Sequence, residues 1–393
     1  MTTTVTTHNS YWSRIKNSFW KILWGFILLI CWIILLARNE KRFVERKEAL
    51  EEWMSLVQEA DITNIDPSLD GKLVHMYWET NSESPEIQDQ DFWIITNDLK
   101  LQRNVEMFQW QQNSTETCTD NIGWSQDCRT SYDYKQTWSP YLIDSSSFHD
   151  VWYDNPESFK YDSYTTGKSN INLWVYRLSS VFTSMLSNYE PLDLTNQNIT
   201  FPDINSQIIN NTIYIWDPQN PTVWDLRISF STVKTGTISV IGKQINNELT
   251  SYISSNEEPI SLLEFGNISA NDMFSIAKSE NKSALWILRL VWLVVIFLGF
   301  ISIFEFIQTL AKVLPFLSKI IWVWTNFIAF CLTIAIGFVT IWIAWLAVRP
   351  IIWISCLIVA IAGIILLSNA KKSKKAESEI TNQPEIINQP KSN

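Results

Sequence analysis

The sequence predicts a multi-pass membrane protein: four transmembrane helices, with a β-rich α+β extramembrane domain between spans 1 and 2. Three observations carry this. The apolar residues of the 393-residue chain gather into one N-terminal run and one long C-terminal block. The stretch between them is acidic. From Asp61 to Lys282, 13 Lys and Arg face 30 Asp and Glu (−17), the rest of the chain holds 17 against 10 (+7), and the two give its net −10. Inside that stretch, short runs alternate apolar and polar residues with the period of two that marks half-buried strands. An acidic domain repels phosphate backbones, so nucleic acid is not an expected partner. The basic remainder suits lipid headgroups at membrane edges.

Residues 1–18 are expected to form a cytoplasmic N-terminus. Residues 19–37, FWKILWGFILLICWIILLA, are long enough to cross about 30 Å of hydrocarbon. A cleaved signal peptide would need a shorter apolar core and a small-residue cleavage site. This run instead ends in Arg38-Asn39-Glu40-Lys41 and reads as a retained anchor. Over 38–66 the pattern stays helical, with Phe43, Leu50, Trp53, Met54 and Val57 on one stripe, until Asp66-Pro67 stops it.

Residues 67–268 form the β-rich domain. Leu226–Ser231 alternates most clearly, Lys234-Thr235-Gly236 can turn the chain, and Thr237–Ile241 can return as a hairpin partner. Leu73–Trp78, Phe92–Thr96, Val105–Trp110 and Ile213–Trp216 are further strands, and Trp174, Leu178, Val181 and Met185 have helical spacing. Ser269, with Asp272 three residues on, is placed to cap a helix that runs through 269–307 as the second span. The third span covers 320–348, Arg349-Pro350 breaks it, and 351–367 is the fourth, before a basic, disordered tail at 368–393. Four crossings put both termini opposite the domain. Arg14, Lys16, Lys21, Lys312, Lys319 and the Lys371–Lys375 cluster favour that side as cytoplasmic, but Arg38, Lys41, Arg42, Arg46 and Lys47 stand on the other, so positive charge nearly balances.

Candidate chemistry is sparse. His8, His75 and His149 lie far apart without ligand spacing, and no GxSxG, P-loop or dinucleotide fingerprint occurs. No enzyme activity, metal or cofactor is expected. Cys31, Cys331 and Cys356 fall in spans as small apolar filler. Cys118 and Cys128 share one polar loop, where a disulfide and two free thiols both fit the sequence. Arg103 and Glu106, three apart on a strand, face opposite sides. Arg289 lies one to two turns inside the second span, where it either snorkels beside Trp286 and Trp292 or makes a specific contact to another span or the domain.

Several segments, in order, resemble the LUMA (transmembrane protein 43) family. They are Asn39-Glu40; Asp66-Pro67 leading to Gly71-Lys72-Leu73-Val74-His75; and Val105-Glu106-Met107-Phe108-Gln109-Trp110. Then come Asp225 through Arg227 and Ser229 to Ser231, Glu280-Asn281, Leu288-Arg289, Val313-Leu314-Pro315-Phe316, and Trp345 with Arg349-Pro350. Glu305-Phe306 departs from the family, which tends to have Pro there. The resemblance implies a lumenal or periplasmic domain, three C-terminal spans, and a role in organising membrane protein complexes, in animals at the endoplasmic reticulum and inner nuclear membrane. The expected function is a non-enzymatic membrane scaffold whose partners are membrane lipids, other membrane proteins and itself as a homo-oligomer. A lipid-binding or lipid-sensing protein is the rival reading. Composition and short termini favour a bacterial inner membrane.

Overall fold

The computed structural model describes residues 2–121, 125–195, 197, 199, 205–311, 315–348, 355, 358, 361 and 362. Its helices are α1 (Tyr11–Leu56), the short α2 (Ser180–Met185), α3 (Ala270–Ala311) and α4 (Pro315–Val348). Among the described residues, three helices are long and apolar enough to cross a membrane, not the expected four. The fourth span, 351–367, lies outside the described residues except at Ser355, Ile358, Ile361 and Ala362. Arg349, Pro350 and the 368–393 tail lie outside them altogether.

α1 starts at Ser10, whose hydroxyl accepts from the Ser13 N–H at 3.4 Å. It ends ten residues before the expected Asp66-Pro67 stop, because Val57 turns extended and its N–H closes the last turn on Trp53 O. Asp66 instead caps a 3-10 turn, accepting from the Ser68 N–H at 2.8 Å. Ser269 does cap α3: its hydroxyl accepts from the Asp272 N–H at 3.2 Å and donates to the Asp272 carboxylate at 2.7 Å. α3 then runs on without a break, as the sequence predicts. It packs antiparallel to α1, Ser18 meeting Thr309 at one end and Asn39 meeting Leu285 at the other. Glycine sets the closest approach: a Cβ on Gly25 would lie 2.9 Å from the Gly299 carbonyl oxygen. Between the ends the seam is apolar, with Leu29, Leu36, Ile296 and Phe300 buried and Trp32 stacked on Trp292 at 4.8 Å.

The domain has two main sheets. Their principal strands are β1 (Thr2–Asn9), β2 (Leu73–Asn81), β3 (Lys100–Asp120), β4 (Gln126–Ser139), β5 (Asn172–Leu173) and β6 (Tyr176–Leu178). Then follow β7 (Ser206–Ile209), β8 (Thr212–Ile215), β9 (Leu226–Val233), β10 (Thr237–Ile245), β11 (Glu248–Thr250) and β12 (Leu262–Phe265). The larger sheet runs β1-β4-β3-β9-β8-β7. In the smaller, β2, β10, β11, β6 and β5 pair in a closed ring, with β12 also on β10. Val74, Met76, Tyr176, Leu178 and Val240 fill its core, and Phe182 of α2 packs so tightly there that a Cβ on Gly242 would come within 2.7 Å of its ring.

Three expectations are corrected. β9 and β10 are not a hairpin: β9 pairs with β3 (Ile228 opposite Val105) and β10 with β2 (Val240 opposite Met76), so Lys234–Gly236 carries the chain from one sheet to the other. The helical spacing from Trp174 is interrupted, since Tyr176–Leu178 is strand and only Ser180–Met185 is helix. Of Phe92–Thr96 only Ile95–Thr96 is strand, although Phe92 and Ile94 are buried. At the N-terminus, Thr2–Asn9 joins the domain's own sheet, Asn9 opposite Gln126 and Thr2 opposite Asp133, where residues 1–18 were expected on the far side of the membrane.

A separate core joins helices to domain. Ala49, Leu50 and Trp53 of α1 and Met273, Phe274 and Ala277 of α3 pack on Leu73, Ile241, Ile260 and Leu262. Trp53 is fully buried, edge-on to Tyr252 at 5.3 Å. Burying one such side chain contributes about 1.5–3 kcal/mol.

Candidate functional site

Nine residues before that core along α1, about two and a half turns, three helices converge on a carboxylate. Glu40 of α1 is 0% exposed. Arg289 of α3 donates to it twice, Nε to Oε1 and Nη2 to Oε2, both at 2.6 Å. Trp345 of α4 adds its indole N–H to Oε2 at 2.7 Å. The Arg289 guanidinium also lies over the Trp286 ring at 4.7 Å. Two-point charge-assisted bonding is the strongest class of side-chain hydrogen bond and fixes orientation as well as distance. Of the two sequence readings of Arg289, the structure thus has the interhelical contact.

Amides flank this clamp. Asn39 Nδ2 donates to Leu285 O at 3.4 Å and Asn281 Nδ2 to Phe43 O at 3.0 Å, and both Asn Oδ1 atoms are buried without a partner among the described residues. Asn281, the first residue of an Asn-Lys-Ser sequon, is only 5% exposed in the folded protein. The far end of the bundle has its own polar clasp, Lys21 Nζ on Glu305 Oε1 at 2.5 Å and Ser18 to Thr309 at 3.0 Å. Where the domain meets α3, His75 is buried between Glu59 Oε2 at 2.7 Å and Ile268 O at 3.0 Å. Burial, and the Glu280 carboxylate near it, push the neighbouring Glu264 carboxyl above the usual carboxylate range.

The remaining family-motif residues lie away from the clamp. Gly71 sits at φ +78°, a conformation glycine adopts without strain, and its turn is tied by Gly71 N–H to Gln244 O at 2.8 Å and Gln244 N–H to Lys72 O at 3.0 Å. Glu106 accepts from Arg227 directly across β3 and β9, and Arg227 also lies over Trp138 at 4.9 Å. Ser229, half-buried on β9, faces Asn104 in register. Met107 is core, Gln109 donates to Tyr141 O and accepts from the Ile143 N–H, and the Trp110 backbone N–H and C=O both bond the Asn155 side-chain amide. The Cys118–Cys128 disulfide is formed, between residues directly opposed on β3 and β4. Glu116 lies close to both sulfurs, but bonded cysteines offer no thiolate to a metal.

Sequence reasoning missed one network. Arg103 is 4% exposed and donates to Asp89 at 3.0 Å and Asp91 at 2.6 Å, while Tyr164 Oη donates to Asp89 at 2.7 Å. Burial, then Asp89, raises the Tyr164 hydroxyl well above its ordinary range. The signal was present: Leu101, Arg103, Val105 and Met107 share the inward face of one strand, and a base on that face requires a buried acid.

A family model described as Transmembrane protein 43 matches residues 107–350. The chain belongs to the transmembrane protein 43 family. It is 24% identical to Transmembrane protein 43 of Homo sapiens over 370 residues, and 25% identical to that of Rattus norvegicus over 371, with 90% of each chain covered in both cases. It is 28% identical to the Transmembrane protein 43 homolog of Drosophila melanogaster over 363 residues, covering 88% of this chain and 94% of that one. These transmembrane protein 43 relatives are animal proteins, so the bacterial inner membrane expected from composition gains no support from them. No solved structure matches.

Proposed function

We propose that the chain is a non-enzymatic membrane scaffold of the transmembrane protein 43 family, holding a β-rich platform at fixed orientation to a helix bundle so that other membrane proteins, and further copies of itself, assemble on it. The observation that carries this reading is the continuity of α1 and α3. They run as single helices of 46 and 42 residues from the bundle into the domain core, and the Glu40–Arg289–Trp345 clamp locks them where they leave the apolar seam. Hinge closure works through loop or element-terminal residues that absorb large backbone changes, and unbroken helix stands at this junction instead. The domain offers exposed aromatic surface for partners, including Trp93, Tyr141, Trp152, Trp216 and Trp224. Light scattering on full-length protein in mild detergent is expected to give a mass above the monomer. A monomer at every concentration, with no partner crosslinked in the native membrane, would end this reading.

The second reading, a lipid-binding protein, is favoured by one feature: an apolar groove between α1 and α4.

A further inference from the structure

We propose that this groove is a binding site for one anionic glycerophospholipid, with an acyl chain between the helices and the phosphate held by Arg38 and Lys41. The inference deepens the lipid reading and is independent of the scaffold reading. The cavity measures ≈ 430 Å³, inside the range of roughly 300–1,000 Å³ usual for ligand sites. Ile34 and Ala37 of α1 face Ile343 and Ala347 of α4 across it, and the small alanines leave the space. Arg38 and Lys41 stand at its mouth, where α1 leaves its apolar run.

Charge identifies the occupant. Glu40 is the acid nearest in sequence to Arg38, but Arg289 and Trp345 occupy both of its oxygens. Arg38 is exposed and makes no ion pair among the described residues, and Lys41 has only the exposed Glu45 at 3.3 Å. The clamp therefore keeps the mouth cationic, directly above an apolar slot. A zwitterionic lipid would bring a choline to these cations, whereas an anionic one brings uncompensated phosphate. The slot has about the volume of one turn of a helix about 10 Å wide, too little to seat another helix, while a flexible chain can follow it.

The test is native mass spectrometry of the full-length protein in mild detergent, titrated with phosphatidylglycerol and phosphatidylcholine of identical acyl chains. One phosphatidylglycerol should be retained preferentially. Arg38→Gln and Lys41→Gln should each lower that preference roughly fivefold, the ratio given by about 1 kcal/mol per basic residue near an anionic surface, and Arg38→Lys should keep most of it. Ala344→Leu, and separately Ala37→Leu from the opposite wall, should reduce retention of both lipids by filling the slot. Melting curves identify which variants are folded. Equal retention of the two lipids, or preference unchanged in Arg38→Gln, overturns the proposal. Retention unaffected by both alanine variants overturns the groove as the site, leaving surface attraction alone. Displacement of phosphatidylglycerol by inorganic phosphate reassigns the cations to a soluble anion and also overturns it. Light scattering on the same samples reads assembly separately, so loss of lipid and loss of the scaffold are distinguished.

Discussion

Arg289 inside an apolar span would cost about 2.5–3.5 kcal/mol on insertion scales if it stood alone. Glu40 stands opposite with both oxygens engaged, and the guanidinium is in turn shielded by Trp286. Removing one member of such a pair leaves the other charge buried, typically a loss of about 3–5 kcal/mol, whereas replacing both by apolar residues can be neutral. Arg289→Leu should therefore insert normally but melt well below the parent in detergent, and adding Glu40→Leu should restore most of the loss. Equal melting of parent and Arg289→Leu would show that the clamp contributes nothing to stability. The sequence made the individual residues legible, since Asn39-Glu40, Leu288-Arg289 and Trp345 are each in the family pattern. It could not join them, because Glu40 and Arg289 are 249 positions apart. Only the antiparallel register of α1 on α3, set by the Gly25–Gly299 contact, brings them level. Arg103 failed differently. Its near neighbour Glu106 faces away from it, and its acids lie 12 and 14 residues back, in the turn between the short paired strands Ile87–Gln88 and Ile95–Thr96, where no alternation marks them as buried.

Local signals served best where an element is decided by its own residues. The Ser269 cap and the unbroken α3 are of that kind. Partner choice is not, which is why β9 and β10 looked like a hairpin: a turn signal shows that strands can reverse, while β3 and β2 offer long apolar faces that only the fold brings near. The N-terminal strand raises a sharper conflict. β1 ends beside the tip of the β3–β4 hairpin and leads through Ser10 into α1, whose last turns pack on the smaller sheet. The domain thus reaches both ends of a helix about 69 Å long at 1.5 Å per residue. A bilayer across residues 19–37 would place the exposed hairpin residues Ser114–Thr119 in or beyond hydrocarbon, where an open polar sheet edge is not tolerated. Crossing by α1 and pairing by β1 therefore exclude each other. An edge strand gains about 0.2–1 kcal/mol per cross-strand pair, while each Leu, Ile, Phe or Val in a span gains about 0.3–0.6 and every helical backbone bond is kept. Insertion is the stronger contribution once the strand's ordering entropy is charged against it. Thr4→Cys with Ser131→Cys, opposed in the sheet, should fail to crosslink in native membranes. Efficient crosslinking there would mean that α1 does not cross and that 1–18 lies on the domain's side.

At the scale of the molecule, the domain and the bundle share one apolar junction, so neither is a free-standing unit. Ala49, Leu50 and Trp53 on one side and Met273, Phe274 and Ala277 on the other close the face of the smaller sheet made by Leu73, Ile241 and Leu262. A fragment cut at the sequence-defined domain limits, residues 67–268, would lose all six helical residues and expose that face. It would also lose Gln58–Glu59, the short strand beside β2, and with Glu59 one of the two partners of His75. Six side chains with an average near 1.5 kcal/mol of burial each amount to roughly 9 kcal/mol, comparable to the whole stability of an ordinary domain at about 5–15 kcal/mol. Residues 67–268 expressed alone should therefore be aggregated or molten, with weak near-ultraviolet circular dichroism. Residues 43–282 keep the junction while leaving out the whole apolar seam and the Glu40–Arg289 clamp, and should give a cooperative melt in solution. If both fragments melt alike, the junction core adds no stability and the domain is an independent body on flexible tethers. In that case the fixed platform, and with it the physical basis for a scaffold of defined geometry, would be lost.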